Sequence, residues 1–436
     1  MMNEIIEQYK ELTEVPITMN TGRKKRIVML LAAGFSVDKS YPTGGDINSA
    51  ISSISKNQFH FDLCGGIVDS GGQCFTGFDK TGNIGDTNNK AFCFLVDAIK
   101  HYVEKVGQAN FNYENFYDII DTERDVERKD DIFSAEYREL ANPYIADLEF
   151  GDYEYLQIIH RLPPLYNQII AYYLKEKKTG IAFYDDVSCG IDMYPDYVNF
   201  IRFLIEKSKS SLIDAFTLNH DLLFESFNRV EGLEGMISDG FDDYGSNYYA
   251  LIRVGHCDYR CRLERYTGRY SKPIRLHKLH GSIDYVPFYK MIKTKSIPYA
   301  VPQNYIKLKK GISPFNVYKN VGCKRKYEES LNPYNHADFL SGTKVKVTKY
   351  DNNYLYKNLH KRFRKALRNA DALIIIGYGG NDKAIEEQIF ANFNYNKKAT
   401  YIIDFDPKEK VEDLAKRLNA TLLKGSINEL IKKVVI

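Results

Sequence analysis

Apolar positions along this 436-residue chain fall into two rhythms, and their alternation predicts its architecture. Short apolar runs occur at 26–34 (RIVMLLAAG), 211–217 (SLIDAFT), 274–282 (IRLHKLHGS), 371–380 (DALIIIGYGG), 399–407 (ATYIIDFDP) and 420–426 (ATLLKGS). Runs of this length, bounded by turn residues, suit strands buried on both faces of a parallel sheet. Between the last of them, apolar residues recur three and four apart, as in KAIEEQIFANF at 383–393 and VEDLAKRL at 411–418. That is the spacing of helices burying one stripe. Strand and helix in alternation predict an α/β fold, a doubly wound, mostly parallel Rossmann-like sheet.

Two long stretches break the rhythm. From about 90 to 209 the spacing is helical, as in AFCFLVDAIKHYVEKV, ENFYDIIDTER and DYVNFIRFLIEKS, and predicts a helical insertion. Residues 287–350 scatter Pro, Gly and Lys with weak alternation, which predicts a small irregular or β insertion carrying basic charge. Residues 1–25 have helical spacing and are expected to form an N-terminal helix, leaving 26–89, 210–286 and 351–436 as the sheet domain. Within it, 60–90 is rich in Gly, Asn, Asp and Thr and reads as a long loop. After Gly34, the Pro42, Gly44 and Gly45 turn leads into a helix with Asp46 as its expected N-cap.

Charge changes this picture more than composition does. The net charge of +3 hides a basic block, 19 Lys/Arg against 4 Asp/Glu over 290–370, and an acidic one, 14 against 4 basic residues over 110–160. Paired opposite blocks suggest contact between modules, subunits or a partner, ranked above a nucleic-acid footprint because no base-reading motif accompanies the lysines. No stretch has the 18 or so apolar residues of a membrane span, and the N-terminus lacks a basic start with an apolar core, so the expected location is cytoplasmic. Seven scattered cysteines suit reduced thiols.

Candidate chemistry lies where strands stop, because open α/β sheets bind ligands beyond the carboxyl ends of their strands. The segment AFTLNHDLLFE at 215–225 puts Thr217, Asn219 and Asp221 at such an end. Asn and Asp also serve as caps and turn formers, and on this segment alone that bland reading competes. Three other strand ends carry small or polar residues: Ala33, Gly34, Phe35 and Ser36; His280 in Leu279-His280-Gly281-Ser282; and Gly377, Gly379 and Asp382, with Asp404 on the next strand. A glycine loop opening a helix admits a phosphate. An imidazole titrates near neutral pH and can take a proton from water or a hydroxyl.

In this order, over roughly 26–60 and 211–430, these motifs resemble the sirtuin superfamily, and within it the sirtuin-like NAD hydrolases of prokaryotic antiviral defence. Ala32-Ala33-Gly34-Phe35-Ser36 is similar to the family's Gly-Ala-Gly-x-Ser dinucleotide loop, and Thr217-Leu218-Asn219-His220-Asp221 to its Thr-Gln-Asn-Ile-Asp. The resemblance implies NAD as substrate, Asn219 orienting the ribose or attacking water, Asp221 holding the nicotinamide amide, and His280 as the catalytic histidine. It also implies Ala33, Gly34, Phe35, Ser36 and Thr217 around the phosphates and ribose, with Gly377, Gly379, Asp382 and Asp404 at the adenosine end. For Asp404, turn chemistry before Pro407 is the alternative. Protein-deacylating sirtuins carry two Cys-x-x-Cys pairs; here only Cys257 and Cys261 lie near each other, so no metal is expected and NAD hydrolysis is favoured over lysine deacylation or ADP-ribosyl transfer. A non-catalytic NAD or ADP-ribose sensor is the reading from another class. The resemblance further implies control by homo-oligomerisation or by a separate partner, such as a hexameric translocase-type ATPase.

Overall fold

The computed structural model describes residues 24–61, 67–70, 86–122, 132–145, 151–254, 257–292, 299–312, 317–319, 337–340, 342 and 353–436. Its centre is a parallel sheet of seven strands: β1 (Lys25–Leu31), β2 (Ser211–Thr217), β3 (Ile237–Ser238), β4 (Ile274–Lys278), β5 (Ala372–Ile376), β6 (Ala399–Asp404) and β7 (Thr421–Lys424). The spatial order is β7-β6-β5-β1-β2-β4-β3. The first strand is therefore central, with Ile27 level with Ile213 on one side and Ala372 on the other. From β1 the chain winds outward to one edge and then crosses back to fill the other half, so the order reverses between β1 and β5. Such a switch point opens a crevice at the carboxyl ends of the strands.

Unbroken apolar runs follow from burial on both faces. Along β1, Ile27, Met29 and Leu31 pack with a layer that includes Phe200, Ile201, Leu204 and Ile431. Val28 and Leu30 turn the other way, towards Leu359, Phe363, Ile385 and Leu414. Alternate residues of one strand thus serve two cores. The helices concerned are α7 (Val198–Ser210) on the first face, and α8 (Tyr354–Asn369), α9 (Lys383–Asn392) and α10 (Glu409–Arg417) on the second. The expected α/β, Rossmann-like class is what the sheet shows.

Ahead of α7 come α1 (Gly44–Ser52), α2 (Asp86–Val106), α3 (Tyr113–Thr122), α4 (Ile132–Ala141), α5 (Gly151–Ile159) and α6 (Leu162–Tyr173). Pro163 and Pro164 stand in the first turn of α6, where missing amide hydrogens cost nothing. These helices share one apolar core, with Phe92, Leu95, Phe116 and Tyr166, that also takes in Tyr248, Val286, Phe288 and Ile306. Two stretches far apart in sequence thus share one core.

Several boundaries differ from the expectations. Thr43, not Asp46, caps α1; Asp46 sits at the third helical position and completes a capping box by accepting from Thr43. The loop at 60–90 contains an antiparallel hairpin, Phe59–Phe61 with Ile67–Asp69. The stretch 240–269, read above with the parallel sheet, is antiparallel: Tyr248–Val254 pairs with Cys257–Arg262, and Gly240–Asp242 with Arg265–Arg269. Its strands are tied to Tyr299–Lys307 and Val317–Lys319 of the basic region, a pairing that local periodicity does not record. Residues 1–23, where the N-terminal helix is expected, lie outside the described residues, as does much of both charge blocks.

Candidate functional site

The crevice begins at a contact between two glycines. Gly34 donates its amide to the Gly377 carbonyl at 3.0 Å, and Ala32 donates to Ile376 at 3.0 Å. A Cβ on Gly34 would stand 2.6 Å from the Gly377 Cα, and one on Gly377 only 2.3 Å from the Phe35 nitrogen. Gly377 also has φ +63°, a left-handed conformation that side chains resist. Only glycine at both positions lets the tips of β1 and β5 cross at this distance.

On the β2 side the sequence candidates meet. Asn219 donates through Nδ2 to the Ser36 Oγ at 2.9 Å and to the Ala32 carbonyl at 3.1 Å. Ser36 in turn donates its hydroxyl to Asp221 Oδ2 at 2.9 Å. Asp221 Oδ1 accepts from the Leu223 amide at 3.0 Å, and Thr217 Oγ1 accepts from the Asn219 amide at 3.0 Å. The segment is thus a turn whose side chains bond inward, as the turn reading has it, at the strand tip where the site reading also puts them. Burial pushes the Asp221 carboxyl above its ordinary range, with Lys278 pulling it back down.

Lys278, unassigned by the motifs, is a residue the sequence reading missed. Its ammonium donates to the Asp221 carbonyl and lies 2.9 Å from Glu225 Oε1, with the side chain fully buried. Local sequence offered no signal for it, since the strand IRLHK already carries Arg275 and His277; its burial is notable because lysine is almost never fully buried unless paired. It fixes the turn that presents Asn219 and Asp221.

His280 stands at the tip of β4. Its carbonyl accepts from the Leu340 amide at 2.7 Å, and its Nε2 lies 3.3 Å from Asp382 Oδ2. Asp382, expected at the adenosine end, thus also faces His280. It caps α9 by accepting from the Ile385 amide at 3.2 Å, and the same carboxyl faces the histidine. Two other imidazoles are near: the His220 ring, 6.3 Å away between centroids, and His360, which is buried and held down to about 3 by burial and by the proximity of His280, so it is neutral at pH 7.

The remaining candidates divide. Ala33 and Gly34 are exposed at the end of β1, and Gly379 at the end of β5. Phe35 points the other way: its ring is 2% exposed, with Phe200 5.1 Å and Tyr197 5.4 Å away, its amide bonds Ala32 and its carbonyl accepts from Tyr197. As the one large apolar side chain of its loop it serves the core and offers the crevice nothing, a correction to its expected cofactor role. Asp404 is half-buried and folded into a turn, accepting from the Asp406 amide at 3.0 Å; burial raises its carboxyl. Cys257 and Cys261 lie on one strand, where a separation of four residues places them about 13 Å apart, too far to share one ion. Among the described residues no cluster of His, Cys, Asp and Glu is arranged for a metal, and no helix is long and apolar enough to cross a membrane.

No family model matches this chain, and no curated protein matches it in sequence. Among solved structures it is similar to a chain described under "Structural Basis for the Mechanism and Regulation of Sir2 Enzymes", at 10% identity over 94% of this chain and 91% of that one, with a TM-score of 0.33. A second, under "The Structural basis of Sirtuin Substrate Affinity", is 11% identical over 98% and 96%, with a TM-score of 0.30. Likeness at that level carries no weight for activity; the α/β class rests on the parallel sheet itself.

Proposed function

We propose that the chain is an NAD hydrolase, releasing nicotinamide and ADP-ribose. What supports the reading above all is the hydrogen-bonded sequence of polar groups Asn219, Ser36 and Asp221 beside His280, all at the carboxyl ends of parallel strands around a switch point. The donor set suits a dinucleotide: an amide, a hydroxyl and an imidazole for ribose hydroxyls and water, a carboxylate for a carboxamide, and small residues at Ala33, Gly34 and Gly379 where bulk would obstruct a pyrophosphate. In the reaction the ribose C1′–N bond breaks, water oxygen bonds to C1′, nicotinamide leaves, and the proton of the water passes to His280. Asn219 orients that water or the ribose, and Asp382 orients the imidazole. The transition state has oxocarbenium character, so positioned polar groups contribute more than a strong nucleophile.

The test is nicotinamide release from NAD by the purified chain beside His280→Ala. Release that vanishes in the variant is expected; equal release from both would place the chemistry elsewhere. Turnover of acyl-lysine peptide, or label from NAD on protein, would reassign the site to a deacylase or transferase. Tight ADP-ribose binding without release under every activator would make it a sensor.

The setting we propose is antiphage defence by NAD depletion, in which the enzyme is held off at rest and controlled by self-association or by a partner such as a hexameric ATPase. The opposite charge blocks at 110–160 and 290–370 support such contacts. Sedimentation showing a fully active monomer at every concentration, with or without partner, would remove this part of the proposal.

A further inference from the structure

On the other side of Lys278, away from the strand tips, lies a cavity of about 1050 Å³ between the β3–β4 edge and the antiparallel strands. It includes none of Ser36, Asn219, Asp221, His280 or Asp382. Its lining carries eight carboxylates, among them Glu225, Asp239, Glu264 and Asp284, and six cations, among them Lys307. Lys307 is committed: its ammonium pairs with Asp239 and stands 3.9 Å from Asp284 Oδ2.

Two carboxyl oxygens of this wall lack a donor. Asp284, with a side chain only 1% exposed, has no hydrogen-bond partner at Oδ1, although Ser282 and Lys307 both act on the carboxyl. Glu225 spends Oε1 on Lys278 and leaves Oε2 without a partner. Buried acceptors in this state cost free energy that a donor would recover. Burial, with Glu225 as a like-charged neighbour, pushes Asp284 up to about 6, and burial raises Glu264 as well. Burial is the larger cause in both, and a cationic partner would hold these carboxyls ionised.

We propose that this cavity is a second ligand site, for a small organic cation bearing an ammonium or guanidinium head that is received by Glu225 and Asp284. An organic cation fits better than a metal, since among the described residues no acidic group has the arrangement of an ion site. The same Glu225 holds Lys278, which holds the Asp221 carbonyl, so an occupant sits one side chain away from the strand-tip turn without overlapping it.

Agmatine, with an ammonium at one end and a guanidinium at the other, is the probe. Calorimetric titration of the full chain should give saturable binding that weakens with salt and falls at least about tenfold in Asp284→Asn and in Glu225→Gln. Glu412→Gln, the same charge lost on α10 beside the far edge of the sheet, should leave it unchanged. Asp284→Asn keeps the shape of a group already short of a partner; should it fail to fold, Glu225→Gln carries the test. Absence of saturable binding up to about 10 mM, an equal affinity in wild type and both variants, or an equal loss in Glu412→Gln would overturn the proposal. So would binding of inorganic phosphate in place of agmatine, which would make the basic rim the ligand-holding part. None of these readouts depends on turnover of NAD.

Discussion

Two histidines three residues apart at the end of β4 each face an aspartate, and they belong to different regions. His277 Nε2 lies 3.5 Å from Asp214 Oδ1, and His280 Nε2 lies 3.3 Å from Asp382 Oδ2. His277 is inside the sheet layer, stacked on Phe216 with centroids 4.4 Å apart and planes 13° from parallel, with Tyr270 at 4.2 Å. Burial lowers its pKa although Asp214 works in the other direction. Burial alone would raise Asp214, but His277 and then Arg26, whose Nε is 2.5 Å away, hold it below the ordinary carboxylate range. His280 has instead a strand tip, a helix cap and polar neighbours. A His–Asp distance therefore does not by itself mark a site; what separates the two pairs is their position relative to the strand end.

The widest separation should come from replacing each histidine in turn. His280→Ala is expected to lower nicotinamide release by about 10²–10⁴-fold at unchanged melting temperature. His277→Ala should do the reverse, costing about 2–4 kcal/mol in denaturant unfolding while the folded fraction keeps its rate. If His277→Ala abolishes turnover in folded protein, the comparison fails. Gly377→Ala should cost about 1–3 kcal/mol, because the added Cβ meets fixed backbone and a left-handed φ. Asp382→Asn keeps a side chain able to cap α9, so a loss of about tenfold in kcat at native stability is expected if Asp382 orients His280. A parallel fall in stability would show that capping is its whole contribution.

The smallest effect concerns pH. His277 has a lowered pKa when folded, so the unfolded chain binds the extra proton below its own value near 6.5. Stability from this group is complete above that pH and is lost as pH falls towards the folded value. Between pH 7 and 6 the loss should be less than about 1 kcal/mol, and His277→Gln should remove it from the pH dependence of unfolding.

How much of this was legible in the sequence depends on whether the information is local. Unbroken runs such as LIII at 373–376 report a strand buried on both faces, so the parallel sheet could be read directly. That Asn219 and Asp221 stand at a strand tip could be read because they follow the strand end at Thr217 by only two and four residues. Asp382 was not, since its approach to His280 depends on α9 starting beside the crevice, and nothing near position 382 states which strand end it will face. Phe35 misled for a related reason: a short loop motif does not say which side chain turns inward, and the four aromatic rings of Tyr197, Phe200, Phe224 and Phe227 decide it. Lys278 reads as an ordinary polar strand residue until Glu225 and the Asp221 carbonyl are placed around it.

The crossing of Gly34 over Gly377 has a consequence for synthesis. A ribosome that has made 370 residues has already produced Ser36, Asn219, Asp221 and His280, yet β5 and the glycine that meets Gly34 have still to be made. The second wall of the crevice comes from the last part of the chain described, and pairings this distant form late. A nascent or prematurely terminated chain would therefore hold most of the reactive side chains and none of the enclosure that lets them act together. For a protein proposed to consume a metabolite its own cell needs, an order of synthesis that completes the crevice last is a safeguard in itself.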